Sequence, residues 1–390
     1  MNLSKKDVNM KKMMRIILGL FVLCFTLSAS AKDSIKIGAL VAATGPASFL
    51  GDPELKTLEL YVEKINAKGG VLGKKLELIS YDTGANPKNA TTFVKRLINQ
   101  DEVVAIMGGS ASGETMAILP FIKKAKIPLV SMAGSIKIVE PVKKYVFKTP
   151  ATDRMACQKI FTYLKAKNKT NVALISGNGG FGKSMRGQCI EIAGDYGINI
   201  VADETYGPKD TDMTPQLTKI KSLDNVQAVV NPGFGQGPAI VTKNFKQLGM
   251  TQTLVQSHGV ASKKFIELAG NASEGVIVAS PPVVVASLLD DSNPIKQIAL
   301  DYIKNYEDKY NAPVSTFGGY AYDALNLIVE AIKKANSSDP KAIRDALEST
   351  TSYVGLNGMF NMNKKDHLGL DIDSGIKMLE IKNGDWTLAK

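Results

Sequence analysis

Short β-rich runs alternate with amphipathic helical segments along most of the chain. Apolar residues at 35–40 predict a strand, and after Gly45-Pro46 the helical spacing over 54–68 predicts a helix that Gly69-Gly70 stops. A strand at 75–81 follows, then a helix opened by Asn86-Pro87, with Pro87 at a first-turn position where its missing N–H costs nothing. Strand 103–107, helix 113–124 and strand 128–131 continue the alternation. Such an order implies a parallel sheet with helices on both faces.

The same grammar restarts after Thr149-Pro150. A helix capped by Asp153 runs to Lys167, and strands at 172–176, 198–205, 228–231 and 253–256 alternate with helices at 182–196, 214–223 and 238–248. After the strand 276–279 and Pro281-Pro282 the chain turns helical over 294–310, 318–335 and 340–349, then ends in strands at 376–381 and around Trp386. The pattern predicts an α/β protein of two doubly wound parallel-sheet lobes. The chain would cross between them near Pro150, Pro281 and Gly355, forming a hinge that permits closure.

The N-terminus changes where this fold is expected to reside. Residues 1–15 carry five basic side chains and one acid, the run 16–27 is weakly polar to apolar, and Ala29-Ser30-Ala31 supplies small residues for signal peptidase. Those twelve positions are too few to span a bilayer, which takes about 20 residues. Cleavage after Ala31 and export as a soluble protein are expected. A lipid anchor on Cys24 is disfavoured by the bulky Leu23, and Met10 offers an alternative start. Removing the five basic residues and the one acid lowers the formal charge from +11 to +7. The lysines are scattered through helices, which argues for solvated faces and against a nucleic-acid partner. Cys157 and Cys189 remain, both in predicted helices. An oxidising compartment would allow them to pair, but sequence gives no distance, and buried free thiols are the expectation.

Ordered motifs make the reading more specific. Ile37-Gly38-Ala39-Leu40, Thr44-Gly45-Pro46, the run Ile65-Asn66-Ala67-Lys68-Gly69-Gly70-Val71-Leu72-Gly73 and Tyr81-Asp82 occur in that order. Asn86-Pro87-Lys88-Asn89-Ala90, Gly108-Gly109-Ser110, Phe147-Lys148-Thr149 and Tyr320-Ala321-Tyr322-Asp323-Ala324 follow. Together they resemble the leucine/isoleucine/valine-binding protein family, the type I periplasmic binding proteins of branched-chain amino acid ABC importers. The likeness runs from about 35 to 386. It implies lobes of 32–150 plus 282–352 and of 151–281 plus 353–390 after a presequence of 1–31. It also implies three crossovers, a periplasmic location, a monomer, a small-molecule ligand in the interlobe cleft, and docking onto an inner-membrane ABC permease. No chemistry, cofactor or metal is implied.

Loops at the carboxyl ends of strands, next to helix N-termini, suit an anion. Ser110 and Ser112 lie in such a loop, and Ala133 and Ser135 in the next. The resemblance implies that Ser112 and Ser135 supply hydroxyls, and Ser110 and Ala133 backbone groups, to an amino acid or carboxylate. Helix capping is the plainer reading of these serines. The second lobe departs from the family pattern. Where members that bind leucine-like amino acids carry an ammonium-neutralising acid, this chain has His258. Phe181, Phe234 and Leu50 occupy the positions of other aromatics, and Ala85 and Ala111 stand where some relatives have a disulfide. A neutral histidine pairs poorly with a cation, so an aromatic carboxylate is kept as an alternative ligand. The plainer reading of His258 is a solvent-exposed loop residue. Asp153 either caps its helix or faces the cleft.

The run from Gly177 to Ser184 matches the phosphate-loop pattern G-x-x-x-x-G-K-S between a strand and a helix. Export and the lack of a following acidic strand end for magnesium argue instead for a tight turn facing the cleft. With only His258 and His367 present, no catalytic or zinc-binding constellation is readable from spacing. A ligand-presenting sensor subunit of the same fold remains open as an alternative to transport.

Overall fold

The computed structural model describes residues 34–390. The expected cleavage after Ala31, Cys24 and the alternative start at Met10 lie outside the described residues. Five short apolar strands, β1 (Ile35–Val41), β2 (Leu76–Asp82), β3 (Ala105–Gly108), β4 (Leu129–Ser131) and β5 (Val146–Lys148), form a wholly parallel sheet in the order β2-β1-β3-β4-β5. Near-continuous burial of β1, β3, β4 and β5 reflects cover on both faces. That cover comes from α1 (Ser48–Ala67), α2 (Pro87–Asn99) and α3 (Ser112–Ala125), with the later α10 (Thr316–Ala335) packed on α1.

The second sheet repeats the order. Strands β6 (Asn171–Gly177), β7 (Asn199–Tyr206), β8 (Ala228–Asn231), β9 (Thr253–Gln256) and β10 (Ile277–Ser280) run parallel, and an antiparallel pair, β13 (Lys377–Lys382) and β14 (Asp385–Leu388), extends the far edge. Around it stand α4 (Asp153–Ala166), α5 (Gly180–Ile192), α6 (Thr214–Lys221), α7 (Gln236–Gln247) and α8 (Lys263–Ala269). In both sheets the strand order reverses direction beside the first strand, the place where doubly wound folds open a crevice at the strand carboxyl ends.

The chain passes to the second sheet after β5 and leaves it after β10, returning to the first sheet's side through α9 (Pro294–Tyr310) and α10. Thr57 of α1 and Tyr302 of α9 share a hydroxyl hydrogen bond of 2.9 Å. The last passage differs from the expectation at Gly355. Beyond α11 (Pro340–Leu347), the pair β11 (Tyr353–Val354) and β12 (Met359–Phe360) stays with the first sheet's elements, because Asp323 of α10 accepts from the amides of Leu356 (2.7 Å) and Asn357 (3.0 Å). His367 stacks on Phe147 of β5 at 4.2 Å and bonds the Val146 carbonyl at 2.9 Å. Only at α12 (Ile372–Gly375) does the chain reach the other lobe, where Asp373 pairs with Lys159 of α4. The crossing therefore lies between Leu370 and Lys377.

Two local expectations are corrected. Thr152, not Asp153, caps α4: its hydroxyl accepts from the Met155 amide at 3.1 Å, while Asp153 is the first helical residue. Cys157 and Cys189 are not free thiols but a disulfide joining α4 to α5, with Cα atoms 5.2 Å apart. The helices pack face to face and bring both cysteines to the same buried seam. Helix α1 also starts six residues before the expected 54, with Pro53 inside it. Burial of Leu50, Gly51 and Leu58 along the same helix outweighs the one backbone bond that Pro53 forfeits.

Candidate ligand-binding site

The strand-end loops of the two sheets face each other across a small cavity. The first sheet's side contributes Leu50 from α1, Ser110 to Ser112 after β3, and Met132 and Gly134 after β4. Pro150 lies at the first crossing. The second sheet's side contributes Phe181 from the start of α5, Phe234 after β8, and His258 and Gly259 after β9. Phe317 and Tyr320 enter from the first turns of α10. The cavity, with its opening, has a volume of about 370 Å³. Apolar side chains make up most of its lining.

Aromatic rings make the walls. Phe181 meets His258 edge to face, with centroids 5.1 Å apart and planes at 90°, and meets Phe234 at 6.2 Å and 75°. Phe49 reaches both Phe234 (6.5 Å) and Phe317 (5.6 Å). Gly134 is required by this packing: a Cβ there would lie 2.7 Å from the Phe181 ring and 2.8 Å from His258 Nε2. The plainer reading of His258, a solvent-exposed loop residue, does not hold. The loop after β9 tucks the side chain under Gly134, leaving it 3% exposed with neither ring nitrogen hydrogen-bonded. Burial first, and then the field of Lys148, pull its pKa down to about 3, so the ring is neutral with one N–H to give and one nitrogen to accept. The Tyr320 hydroxyl is likewise buried and unpartnered. An unpaired buried polar group costs about 1–3 kcal/mol, and both residues line the cavity, with His258 Nε2 beside Gly134.

The serines divide by role. Ser112 opens α3, and its hydroxyl accepts from the Ser135 amide at 3.2 Å, leaving its own proton free. Glu114 reaches back to accept from the Ala111 amide at 2.8 Å, which fixes the first turn of α3. Ser110 is engaged elsewhere: its hydroxyl accepts from the Ala42 amide at 2.9 Å and donates to the buried Glu54. Burial raises the Glu54 carboxyl well above the usual range. Ser135 and Ala133 do not line the cavity. The Ser135 hydroxyl bonds Ser184 of α5 at 2.7 Å, a link between the two halves, while Ala133 packs into the core beside β4.

Asp153 also stands behind the wall. Its Oδ1 accepts from the amides of Ile136 and Arg154, each at 3.0 Å, and burial raises its pKa. A charged group to which the sequence pattern gave no role stands behind Gly134. Lys148, fully buried on β5, donates to the carbonyls of Gly134 (2.9 Å) and Ala151 (3.2 Å). Desolvation lowers its pKa to about 7 against the opposing pull of Asp153 and Glu140. Phe317 and Tyr320 were also missed. Tyr320 belonged to a quoted motif, and its place in the first turns of a helix behind Ser315 was the available signal.

The phosphate-loop-like run forms the turn between β6 and α5. Lys183 points to solvent, and Gly180 abuts Gly113 of the other half, where an added Cβ would sit 3.1 Å from the Gly113 amide nitrogen.

Two switch-point crevices closed over an aromatic pocket define a two-lobed solute-binding protein. The periplasmic binding protein family model matches residues 34–384, and the chain belongs to that family. A relative from Pseudomonas aeruginosa, the leucine-, isoleucine-, valine-, threonine- and alanine-binding protein, is 25% identical over 379 residues and 96% of each chain. The Leu/Ile/Val/Thr-binding protein of Salmonella typhimurium is 24% identical, covering 84% of this chain and 88% of its own. Among solved structures, an extracellular ligand-binding receptor from Rhodopseudomonas palustris HaA2 superposes with a TM-score of 0.85 at 25% identity, over 92% of this chain and all of that one. The branched-chain amino acid transporter substrate binding protein of Streptococcus pneumoniae, in complex with isoleucine, gives 0.81 at 27% identity over 92% and 99%. The family places the protein in the periplasm, as a binding protein and not an enzyme.

Proposed function

We propose that this protein is the solute receptor of an ABC importer, taking one small carboxylate-bearing molecule into the cavity and presenting the closed form to an inner-membrane permease. The observation that carries this reading is the composition of the cavity wall, drawn from the strand-end loops of both sheets and from α10. A ligand there bridges the halves and favours closure in proportion to its contacts with both. The relatives named for branched-chain amino acids support the transport context. The three passages of the chain between sheets act as the hinge, and the protein works as a monomer. Ser112 and the first turn of α3 take the carboxylate, with Leu50, Phe181, Phe234 and His258 forming the rest of the pocket.

Thermal-shift screening against amino acids and small carboxylates tests this. A ligand at 100 times its Kd stabilises the fold by about 2.7 kcal/mol, and no turnover product forms. Ser112→Ala removes a hydrogen bond to a charged group and should weaken the identified ligand by about 10- to 100-fold, corresponding to about 1.5–3 kcal/mol. An unchanged affinity would remove Ser112 from the site.

A further inference from the structure

Resting on the solute-receptor reading above, we infer that the preferred ligand is an aromatic monocarboxylate without an ammonium group, its ring held by Phe181, Phe234 and Phe317 and its polar atoms by Ser112, Tyr320 and His258. Among the described residues lining the cavity there is no aspartate or glutamate. Three carboxyls lie near the cavity but outside its lining, each buried and each accepting at least one hydrogen bond from the protein, with Glu54 Oε1 and Asp153 Oδ2 left unpaired. Glu54 receives Ser110, Glu114 receives Thr83 (2.6 Å) and the Ala111 amide, and Asp153 receives two amides. Burial pushes all three towards the neutral form. The nearest charge to His258 is the Lys148 ammonium, which repels a second cation.

What the cavity does offer is donors. The Ser112 hydroxyl accepts the Ser135 amide and keeps its own proton to give, the Tyr320 hydroxyl has no hydrogen-bond partner, and a neutral His258 has one N–H and one acceptor nitrogen unpaired; all three side chains are more than nine-tenths buried. The first turn of α3 adds amides with no acceptor inside the helix. A carboxylate satisfies this set, whereas an α-ammonium would be desolvated with no ionised partner, an expensive transfer. The hydrophobic wall is aromatic rather than branched aliphatic, and edge-to-face geometry around Phe181 suits a further ring.

Two pairs of ligands separate the two features by titration calorimetry on the folded chain: 3-phenylpropionate against phenylalanine, and 4-methylpentanoate against leucine. Within each pair the only difference is the α-ammonium. The acid lacking it should bind at least 10-fold tighter in each pair, and 3-phenylpropionate at least 10-fold tighter than 4-methylpentanoate. His258→Phe keeps the ring packing but removes the nitrogens; it should fold with an unchanged or higher Tm and lose at least 10-fold in affinity for 3-phenylpropionate. Tighter binding of leucine or phenylalanine than of their deaminated partners overturns the ligand class while leaving the solute-receptor reading intact. If none of the four binds and no other amino acid or carboxylate shifts the Tm, both fall.

Discussion

Lys148 shows how one buried residue acts on the cavity wall: its charge adds to burial in lowering the pKa of His258. Its ammonium is fully buried, bonded to two carbonyls, and its pKa lies near 7 instead of 10.5. Between those values the unfolded chain holds a proton that the folded protein sheds, so stability should rise with pH across the window. For one group the slope is at most about 1.4 kcal/mol per pH unit. Below pH 7 the group is charged in both states and its contribution is flat. Urea midpoints at pH 7 and pH 9.5 should move apart in the natural protein and much less in Lys148→Met; equal separations would mean that Lys148 does not titrate in this range. In sequence the residue was only a lysine inside an apolar motif. Ser112 could be placed at the cavity because strand-end loops of a parallel sheet converge, and Phe181, Phe234 and His258 because the family resemblance marked their positions; all four line it. Lys148 and Tyr320 were not, because their direction depends on packing between elements far apart in the chain.

At the scale of elements, the periodic pattern located nearly every strand and helix, since burial on both faces leaves little freedom in where an apolar run can go. It failed where partners decide. The disulfide between α4 and α5 depends on two helices meeting at one seam, which spacing alone cannot reveal. It closes a loop of sequence separation 32, and a loop of that length corresponds to about 3–4 kcal/mol of stability in the chain-entropy account. The double variant Cys157→Ala, Cys189→Ala should lower the Tm clearly and leave ligand affinity within about twofold of the natural protein. A loss of affinity larger than the loss of stability would place the α4–α5 seam in the binding mechanism itself. The tail shows the same limit: a short strand pair after α11 reads equally well with either sheet, and the Asp323 carboxylate and the Phe147–His367 stack decide it.

Across the whole molecule, the two halves also meet at a few close points beside the cavity. Gly180 lies against the Gly113 backbone, and Ser135 bonds Ser184. Gly180→Leu should therefore hold the jaws apart, weakening every ligand by at least 10-fold while leaving the Tm of the ligand-free protein nearly unchanged. Small-angle scattering would show no contraction on adding ligand to that variant. Two lobes were readable from the repeat of the α/β order, but the contacts between them were not, because they join segments more than 40 residues apart. The central claim is that one solute is held in the cavity beside Gly134. Titration calorimetry of the natural protein and of Gly134→Leu against the same panel of amino acids and carboxylates tests it most directly. One ligand per chain with a negative heat-capacity change in the natural protein, and no binding once leucine fills the space between Phe181 and His258, is the result expected. A ligand that binds both proteins equally well would contradict the account.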